Sequence, residues 1–229
     1  MKSNDHKADN KGILIVYNTC TLNLPDYPSV QLGRWMGDVK KILSQDIFSS
    51  TEKKLKCKIV VCECRGVDER AWSSNPVFIE WLDELKDKGV GYNLIKQYLP
   101  FGQAVNHTIK EIVKINGTYE YYMYWSSGLR IGDDVGQLHR IYELLKSNSN
   151  ICRASLLGSD DNAPPENFEY TQEDPYVILP GLTVNDHCSI YSNEFFESFD
   201  RCIRPDLYVG NGSENSFPYM ASSIGKQSV

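Results

Sequence analysis

The feature that most constrains the fold is an alternation of apolar strands and amphipathic helices over the first 157 residues. Ile13-Leu-Ile-Val-Tyr17 and Lys58-Ile-Val-Val-Cys-Glu63 are rich in β-branched residues without polar alternation. Such runs are typical of strands buried on both faces of a parallel sheet. The same criteria predict further strands at Tyr92–Ile95, Tyr119–Trp125 and Ile151–Leu157.

Helices are predicted between these strands. Apolar side chains recur at helical spacing, and Asn75-Pro76, Gly89 and Asn116-Gly117 supply start and stop signals. The predicted helices cover Val30–Phe48, the segment from Asn75 to Gly89, Gly102–Ile115 and Val135–Ser147. This order predicts an α/β fold: a mainly parallel central sheet with helices on both faces.

The remaining residues complete one predicted domain, which covers 12–229 and follows a disordered leader at 1–11. Within it, 12–157 is the predicted ligand-binding half and 158–229 a second half with a different pattern. Residues 158–180 resemble a long binding loop or lid. A strand is predicted at Cys188–Tyr191, and helices at Asn193–Phe199 and Ser213–Ile224.

Composition excludes several classes of protein. A net charge of -6 argues against a nucleic-acid binder that works by neutralising phosphates. No signal sequence or stretch of about 20 apolar residues is visible. Seven cysteines without zinc-ligand spacing predict reduced thiols. We therefore expect a cytoplasmic protein without a transmembrane segment.

Polar and small residues follow each predicted strand, where an open parallel sheet binds its ligands. Asn18 ends the first strand, and Glu63 to Asp68 follow the second. Leu99 to Asn106 follow the third strand, and Ser126-Ser127-Gly128 follow the fourth. The predicted binding residues are Asn18, Glu63, Asp68, Gly102, Asn106, Ser126, Ser127 and Gly128.

In order and spacing, these segments resemble the family 2 glycosyltransferases, which share the GT-A fold. Val16-Tyr-Asn-Thr-Cys-Thr-Leu22 is similar to their first strand and turn. Ile59-Val-Val-Cys-Glu-Cys-Arg-Gly-Val-Asp68 is similar to their second strand and acidic loop, with glutamate for the first aspartate. Leu99-Pro-Phe-Gly-Gln-Ala-Val-Asn106 is similar to their following helix start. The resemblance runs from about Ile13 to Lys226 and implies a nucleotide-sugar site.

In that family, the acid after strand two accepts the imide N–H of uracil, and the resemblance gives this role to Glu63. A solvated acid at a strand end is the alternative. The resemblance also implies that Asp68 orders the same loop and that Asn106 caps or clamps the loop near Gly102. A UDP-sugar is the implied donor. Trp125 is either a core side chain or a surface on which a sugar stacks.

The family's metal motif is altered. After strand four the family places Asp-x-Asp, which holds Mn²⁺ or Mg²⁺ against the diphosphate. Ser126-Ser127-Gly128 offers no carboxylate. Asp133-Asp134 and Asp160-Asp161 are alternative ligands, although the first pair also suits a helix start. Arg130 or Lys226 could stabilise the diphosphate without metal.

The acceptor side is altered as well. The family's last helix starts with Glu-Asp, whose aspartate is the catalytic base, whereas here the sequence is Ser213-Glu214-Asn215. Glu214 is the predicted base, or it belongs to an ordinary helix N-terminus. His187 and Asp186 match the segment that faces the acceptor and are further predicted catalytic residues.

The resemblance thus implies an inverting, hexosyltransferase-like enzyme that moves a sugar from a nucleoside diphosphate sugar to a glycan or other hydroxyl acceptor. Such chemistry belongs to polysaccharide or glycoconjugate synthesis. One alternative is a catalytically silent domain that binds a nucleotide sugar or glycan, or acts as a partner domain. The other is a nucleotidyltransferase, which is disfavoured because the sequence has no glycine-rich phosphate loop with a lysine.

Overall fold

The fold is derived from a computed structural model. It describes residues 12–18, 37, 49–50, 53–54, 57–63, 76–87, 89–95, 99, 101–126, 136–155, 171–173, 176–178, 188–203 and 216–229. The predicted helix at Val30–Phe48 lies almost entirely outside these residues.

Four adjacent parallel strands form one side of the central sheet, and they are strands that the apolar runs predict. They are β1 (Ile13–Asn18), β4 (Cys57–Glu63), β5 (Gly91–Leu94) and β6 (Tyr121–Ser126). β1 lies between β4 and β6 and is parallel to both. All six residues of β1 are buried, because helices cover both faces of the sheet.

Five helices are described: α1 (Pro76–Lys86), α2 (Phe101–Asn116), α3 (Gly136–Ser147), α4 (Asn193–Ser198) and α5 (Phe217–Ser223). α1 and α2 are each followed by a glycine with positive φ, Gly89 at 79° and Gly117 at 80°. Both amides donate to carbonyls of the last helical turn, Lys86 and Val113. These left-handed C-caps confirm the predicted helix ends.

One antiparallel strand interrupts an otherwise parallel sheet. The strand order is β11-β7-β10-β6-β1-β4-β5, where β7 is Ile151–Ser155, β10 is Cys188–Ser192 and β11 is Gln227–Ser228. β10 runs antiparallel to its neighbours β6 and β7, whereas β11 is parallel to β7. The prediction of a mainly parallel sheet covered by helices is confirmed.

The two faces of the sheet carry separate hydrophobic cores. One contains Ile13, Ile15 and Tyr17 with side chains of α1 and α3, and it is called the α1/α3 core here. The other contains Leu14 and Val16 with side chains of α2, α4 and α5, and it is called the α2/α4/α5 core. Successive β1 side chains thus enter opposite cores, as strand geometry requires.

Two short hairpins were not predicted. β2 (Ser49–Ser50) pairs with β3 (Lys53–Lys54), and β8 (Thr171–Glu173) pairs with β9 (Tyr176–Ile178). The second hairpin lies in the segment predicted as a loop. Within the described part of the chain, no helix is long and apolar enough to cross a bilayer.

Candidate functional site

The register of the sheet brings three predicted strand-end residues, Asn18, Glu63 and Ser126, to one end of the sheet. Asn18 is paired with Cys62 on one side and with Ser126 on the other. Glu63, the last residue of β4, is paired with Leu94 of β5. Since neighbouring strands lie about 4.8 Å apart, these residues form a continuous row. This row is called the carboxyl end of the sheet below.

Asn18 is the most unusual residue of that row. Its side chain is fully buried, and neither Nδ2 nor Oδ1 has a hydrogen-bond partner among the residues that the structure describes. Leaving a buried polar group unsatisfied costs about 1–3 kcal/mol, so proteins rarely do so without a functional reason. The carboxamide offers both a donor and an acceptor, which suits a ligand with hydrogen-bonding groups of both kinds.

Glu63 is buried at the end of β4, with 1% of its surface exposed. The Tyr92 hydroxyl donates to its Oε2 atom over 2.5 Å. This short, charge-assisted hydrogen bond fixes the position of the carboxylate. Sequence reasoning missed Tyr92, because its relation to Glu63 depends on β5 lying next to β4, and strand order is not visible in the sequence.

The structure places Asn18 and Glu63 on opposite faces of the sheet. Residues two apart in a strand face the same side. Asn18 therefore shares a face with Val16, which belongs to the α2/α4/α5 core, whereas Glu63 shares a face with Val61, which belongs to the α1/α3 core. At the carboxyl end of the sheet, the Asn18 side chain therefore lies on one face and the Glu63 side chain on the other. A ligand that contacts both must lie across the ends of β1 and β4.

Gly102 and Asn106 both lie in α2, whose first residue is Phe101. Asn106 is buried in the second turn, and its Oδ1 atom accepts a hydrogen bond from the Ile203 amide over 3.1 Å. This hydrogen bond links α2 to the turn that follows α4. The role of Asn106 at the loop near Gly102 stays a prediction. Gly102 is partly exposed at the start of the helix.

Trp125 is a core side chain and not a sugar-stacking surface. It is fully buried in the α1/α3 core, and its ring lies edge-on to Tyr17 with 4.6 Å between centroids. Buried aromatic pairs favour this geometry. The stacking alternative for Trp125 is therefore wrong.

Lys226 lies at the end of the sheet opposite Asn18. Its Nζ atom donates to the Ser149 carbonyl over 2.8 Å and forms a 3.0 Å ion pair with Glu194. The following residue, Gln227, is paired with Ile151, the first residue of β7. Because β7 and β1 point the same way, Lys226 is at the amino end of the parallel strands. The expectation that Lys226 stabilises a diphosphate at the carboxyl end is wrong.

Several predicted site residues fall outside the described residues. They are Asp68, Ser127, Gly128, Asp186, His187 and Glu214, together with Arg130 and the alternative metal ligands Asp133, Asp134, Asp160 and Asp161. Ser126 is described only as the backbone partner of Asn18. Within the described ranges, no three His, Cys, Asp or Glu side chains form a group that could hold a metal ion. The described residues thus offer no site to which the family's Mn²⁺ or Mg²⁺ can be assigned.

Comparison with solved structures identifies the class of fold. A mannosyltransferase from Pyrobaculum calidifontis, solved with GDP-Man and Mn²⁺, superimposes with a TM-score of 0.61 at 9% identity, covering 95% of this chain and 53% of its own. Residues 1–349 of S. aureus TarS give a TM-score of 0.56 at 13% identity, covering 92% of this chain and 55% of their own. The chain has a GT-A-like fold.

A solved structure of another kind of protein has a similar fold. A 4-diphosphocytidyl-2C-methyl-D-erythritol synthase from Anaerococcus prevotii gives a TM-score of 0.50 at 11% identity, covering 92% of this chain and 83% of its own. The present chain spans about half the length of the mannosyltransferase and TarS structures. No protein-family model and no curated protein sequence match it.

Proposed function

We propose that this chain is the nucleotide-sugar-binding domain of a glycosyltransferase, which moves a sugar from a nucleoside diphosphate sugar to a glycan or other hydroxyl acceptor. The observation that carries the proposal is the fully buried Asn18 carboxamide at the carboxyl end of the sheet, with no described hydrogen-bond partner. Ligands of open α/β sheets bind at this end. The GT-A-like fold supports the proposal.

In the proposed complex, the nucleotide lies across the ends of β1 and β4. Asn18 hydrogen-bonds the nucleotide with both its donor and its acceptor. Glu63, held by Tyr92, accepts an N–H of the base, which fits uracil and any other base with an acidic N–H. The diphosphate then lies toward the end of β6, near Ser126, Ser127 and Gly128.

Sugar transfer follows from this arrangement. The acceptor hydroxyl attacks the anomeric carbon, the bond from that carbon to the phosphate oxygen breaks, and the nucleoside diphosphate leaves with the electron pair. The hydroxyl proton passes to a base, for which Glu214, His187 and Asp186 are the candidates. Attack from the face opposite the leaving group inverts the anomeric carbon.

A thermal-shift screen tests the proposal. The purified chain is heated with UDP, GDP, CDP and ADP and with common nucleotide sugars, each with Mn²⁺, with Mg²⁺ and with chelator. A ligand at 100 times its Kd adds about 2.7 kcal/mol of stability if it binds only the folded state. Stabilisation by one nucleotide is expected. No shift with any nucleotide would contradict the proposed donor site.

Product analysis separates the alternatives. Sugar transfer releases a nucleoside diphosphate only when an acceptor is present, and nucleotidyl transfer, which the same fold class also performs, releases pyrophosphate. Binding without either product identifies a catalytically silent domain.

A further inference from the structure

Arg153 is a fully buried cation in the middle of β7. Its Nη1 atom donates to Ser228 Oγ over 2.9 Å, and its Nη2 atom donates to Ser189 Oγ over 3.1 Å. The guanidinium also lies 4.2 Å from the ring centre of Phe217 and 5.6 Å from that of Tyr191. One side chain therefore contacts β10, α5 and β11.

An irregularity in β7 directs Arg153 to this position. In the pairing of β11 with β7, Gln227 lies opposite Ile151 and Ser228 lies opposite Arg153. Cys152 is therefore an extra residue of β7 that has no partner position in β11. Ile151 belongs to the α1/α3 core, whereas Cys152 belongs to the α2/α4/α5 core, where Arg153 meets Phe217. β-bulges redirect side chains in this way.

A chain of hydroxyl groups extends the contact toward the carboxyl end of the sheet. Ser189 Oγ, which accepts from Arg153, donates to Ser155 Oγ over 2.9 Å. Ser155 Oγ donates in turn to the Cys188 carbonyl over 3.1 Å. Ser155 is the last residue of β7, and Cys188 is the first residue of β10. The network thus ends where the chain enters β10.

We propose that Arg153 is a positioning residue that fixes the starts of β10 and α5, the two described elements that adjoin predicted acceptor-side groups in the sequence. Cys188 directly follows His187 in the sequence, and Phe217 comes three residues after Glu214. The guanidinium holds the first element through Ser189 and the second through the Phe217 ring. The kinetic part of this inference rests on the proposed function, whereas the structural part does not.

The geometry requires arginine. A planar guanidinium stacks on a ring with its face while its edge N–H groups bond two hydroxyls. A lysine ammonium keeps the charge but cannot hold Ser189, Ser228 and the Phe217 ring together. Arg153→Lys is therefore the informative variant, and Arg140→Lys, at an exposed arginine of α3, is its matched control.

Hydrogen–deuterium exchange tests the structural part. In Arg153→Lys, amides in peptides covering 188–192 and 217–223 should exchange about tenfold faster than in the wild type, while β1 and β4 stay protected. Arg140→Lys should change neither segment. If Arg153→Lys does not fold, Ser189→Ala should accelerate exchange in the 188–192 segment alone. Unchanged exchange, or an increase spread evenly over the chain, would overturn the inference.

Steady-state kinetics test the functional part. Arg153→Lys should leave the nucleotide Kd within about twofold of the wild type but reduce kcat/KM for the acceptor by about tenfold or more, because misplaced reacting groups slow transfer. If nucleotide affinity falls by as large a factor as kcat/KM for the acceptor does, the variant is generally destabilised and a positioning role is contradicted. A wild-type protein that binds nucleotide without transfer would refute the proposed function, yet the exchange experiment would still decide the role of Arg153.

Discussion

The hydroxyl of Tyr92 in β5 donates a 2.5 Å hydrogen bond to the carboxylate of Glu63 at the end of β4. This contact joins two neighbouring parallel strands at the end of the sheet where the nucleotide is proposed to bind. It helps to hold the carboxylate in place, so this part of the proposed binding surface is organised before the ligand arrives.

Removing the charge of Glu63 should weaken nucleotide binding. Glu63→Gln is expected to raise the nucleotide Kd about tenfold, since a neutral amide oxygen is a weaker acceptor for a base N–H. Tyr92→Phe should raise it less, because the carboxylate remains. Calorimetric titration measures both values. If Tyr92→Phe weakens binding more than Glu63→Gln does, Glu63 is not the direct ligand.

Replacing Asn18 by an apolar residue of similar size should affect stability and binding in opposite directions. Asn18→Leu removes a buried, unsatisfied amide, so it is expected to stabilise the ligand-free protein by about 1–3 kcal/mol. It should also abolish the nucleotide-induced increase in Tm. Chemical denaturation and thermal shift measure the two effects.

Asn93→Leu is the matched control for that experiment. Asn93 Nδ2 donates to Thr108 Oγ1 over 2.9 Å, so its loss should destabilise the protein. Equal destabilisation by Asn18→Leu and Asn93→Leu would show that Asn18 has a structural role in the ligand-free protein.

Lys226 should not contribute to nucleotide binding. Its ion pair with Glu194, which is 57% exposed, lies at the amino end of the parallel strands. Lys226→Met is expected to leave the nucleotide Kd unchanged and to cost about 1–2 kcal/mol of stability, because the Lys226 side chain is only 19% exposed and also donates to the Ser149 carbonyl. A clear loss of affinity would contradict the location described above.

The turn after α4 should become more stable with glycine. Asp200 and Arg201 have positive φ angles of 53° and 59°. Side chains in this region cost about 1–2 kcal/mol, which exceeds the entropic cost of glycine. Arg201→Gly should therefore raise Tm slightly, despite losing its 3.4 Å contact with Glu197. Arg201→Val should lower Tm, since β-branched residues suit this conformation worst.

Stability should fall in alkaline solution, partly through Cys152. Burial raises the pKa of its thiol from 9.0 to about 12. Above pH 9 the unfolded chain releases this proton while the folded chain retains it, so stability decreases as pH rises from 9 toward 12. Cys152→Ala should flatten the decline of Tm over this range. An unchanged slope would show that the thiol ionises equally in both states.

The sequence predicts the parallel part of the fold well, because each of its strands is a local apolar run and its helices end at glycines such as Gly89 and Gly117. It does not predict the antiparallel direction of β10. A five-residue strand has the same apolar pattern in either direction. The direction of a strand depends on the end of the sheet at which the preceding segment enters it, which is a property of the whole fold.

In the candidate site, too, some features are visible in the local sequence and others depend on the fold. The positions of Asn18 and Glu63 follow from the strand ends, which are visible in the sequence. That their side chains lie on opposite faces depends on alternation along each strand combined with the register between them. The contacts of Tyr92 and Arg153 depend on strand order and on a bulge, neither of which has a local sequence signal.

The position of β10 also determines when this protein can fold during synthesis. β10 separates β6 from β7, although about 30 residues after β7 must be made before β10 exists. A nascent chain that has emerged only through β7 carries two strands with no strand between them. Their unpaired backbone groups are available to other chains until β10 is added, so the nascent protein is open to edge-to-edge aggregation during this interval.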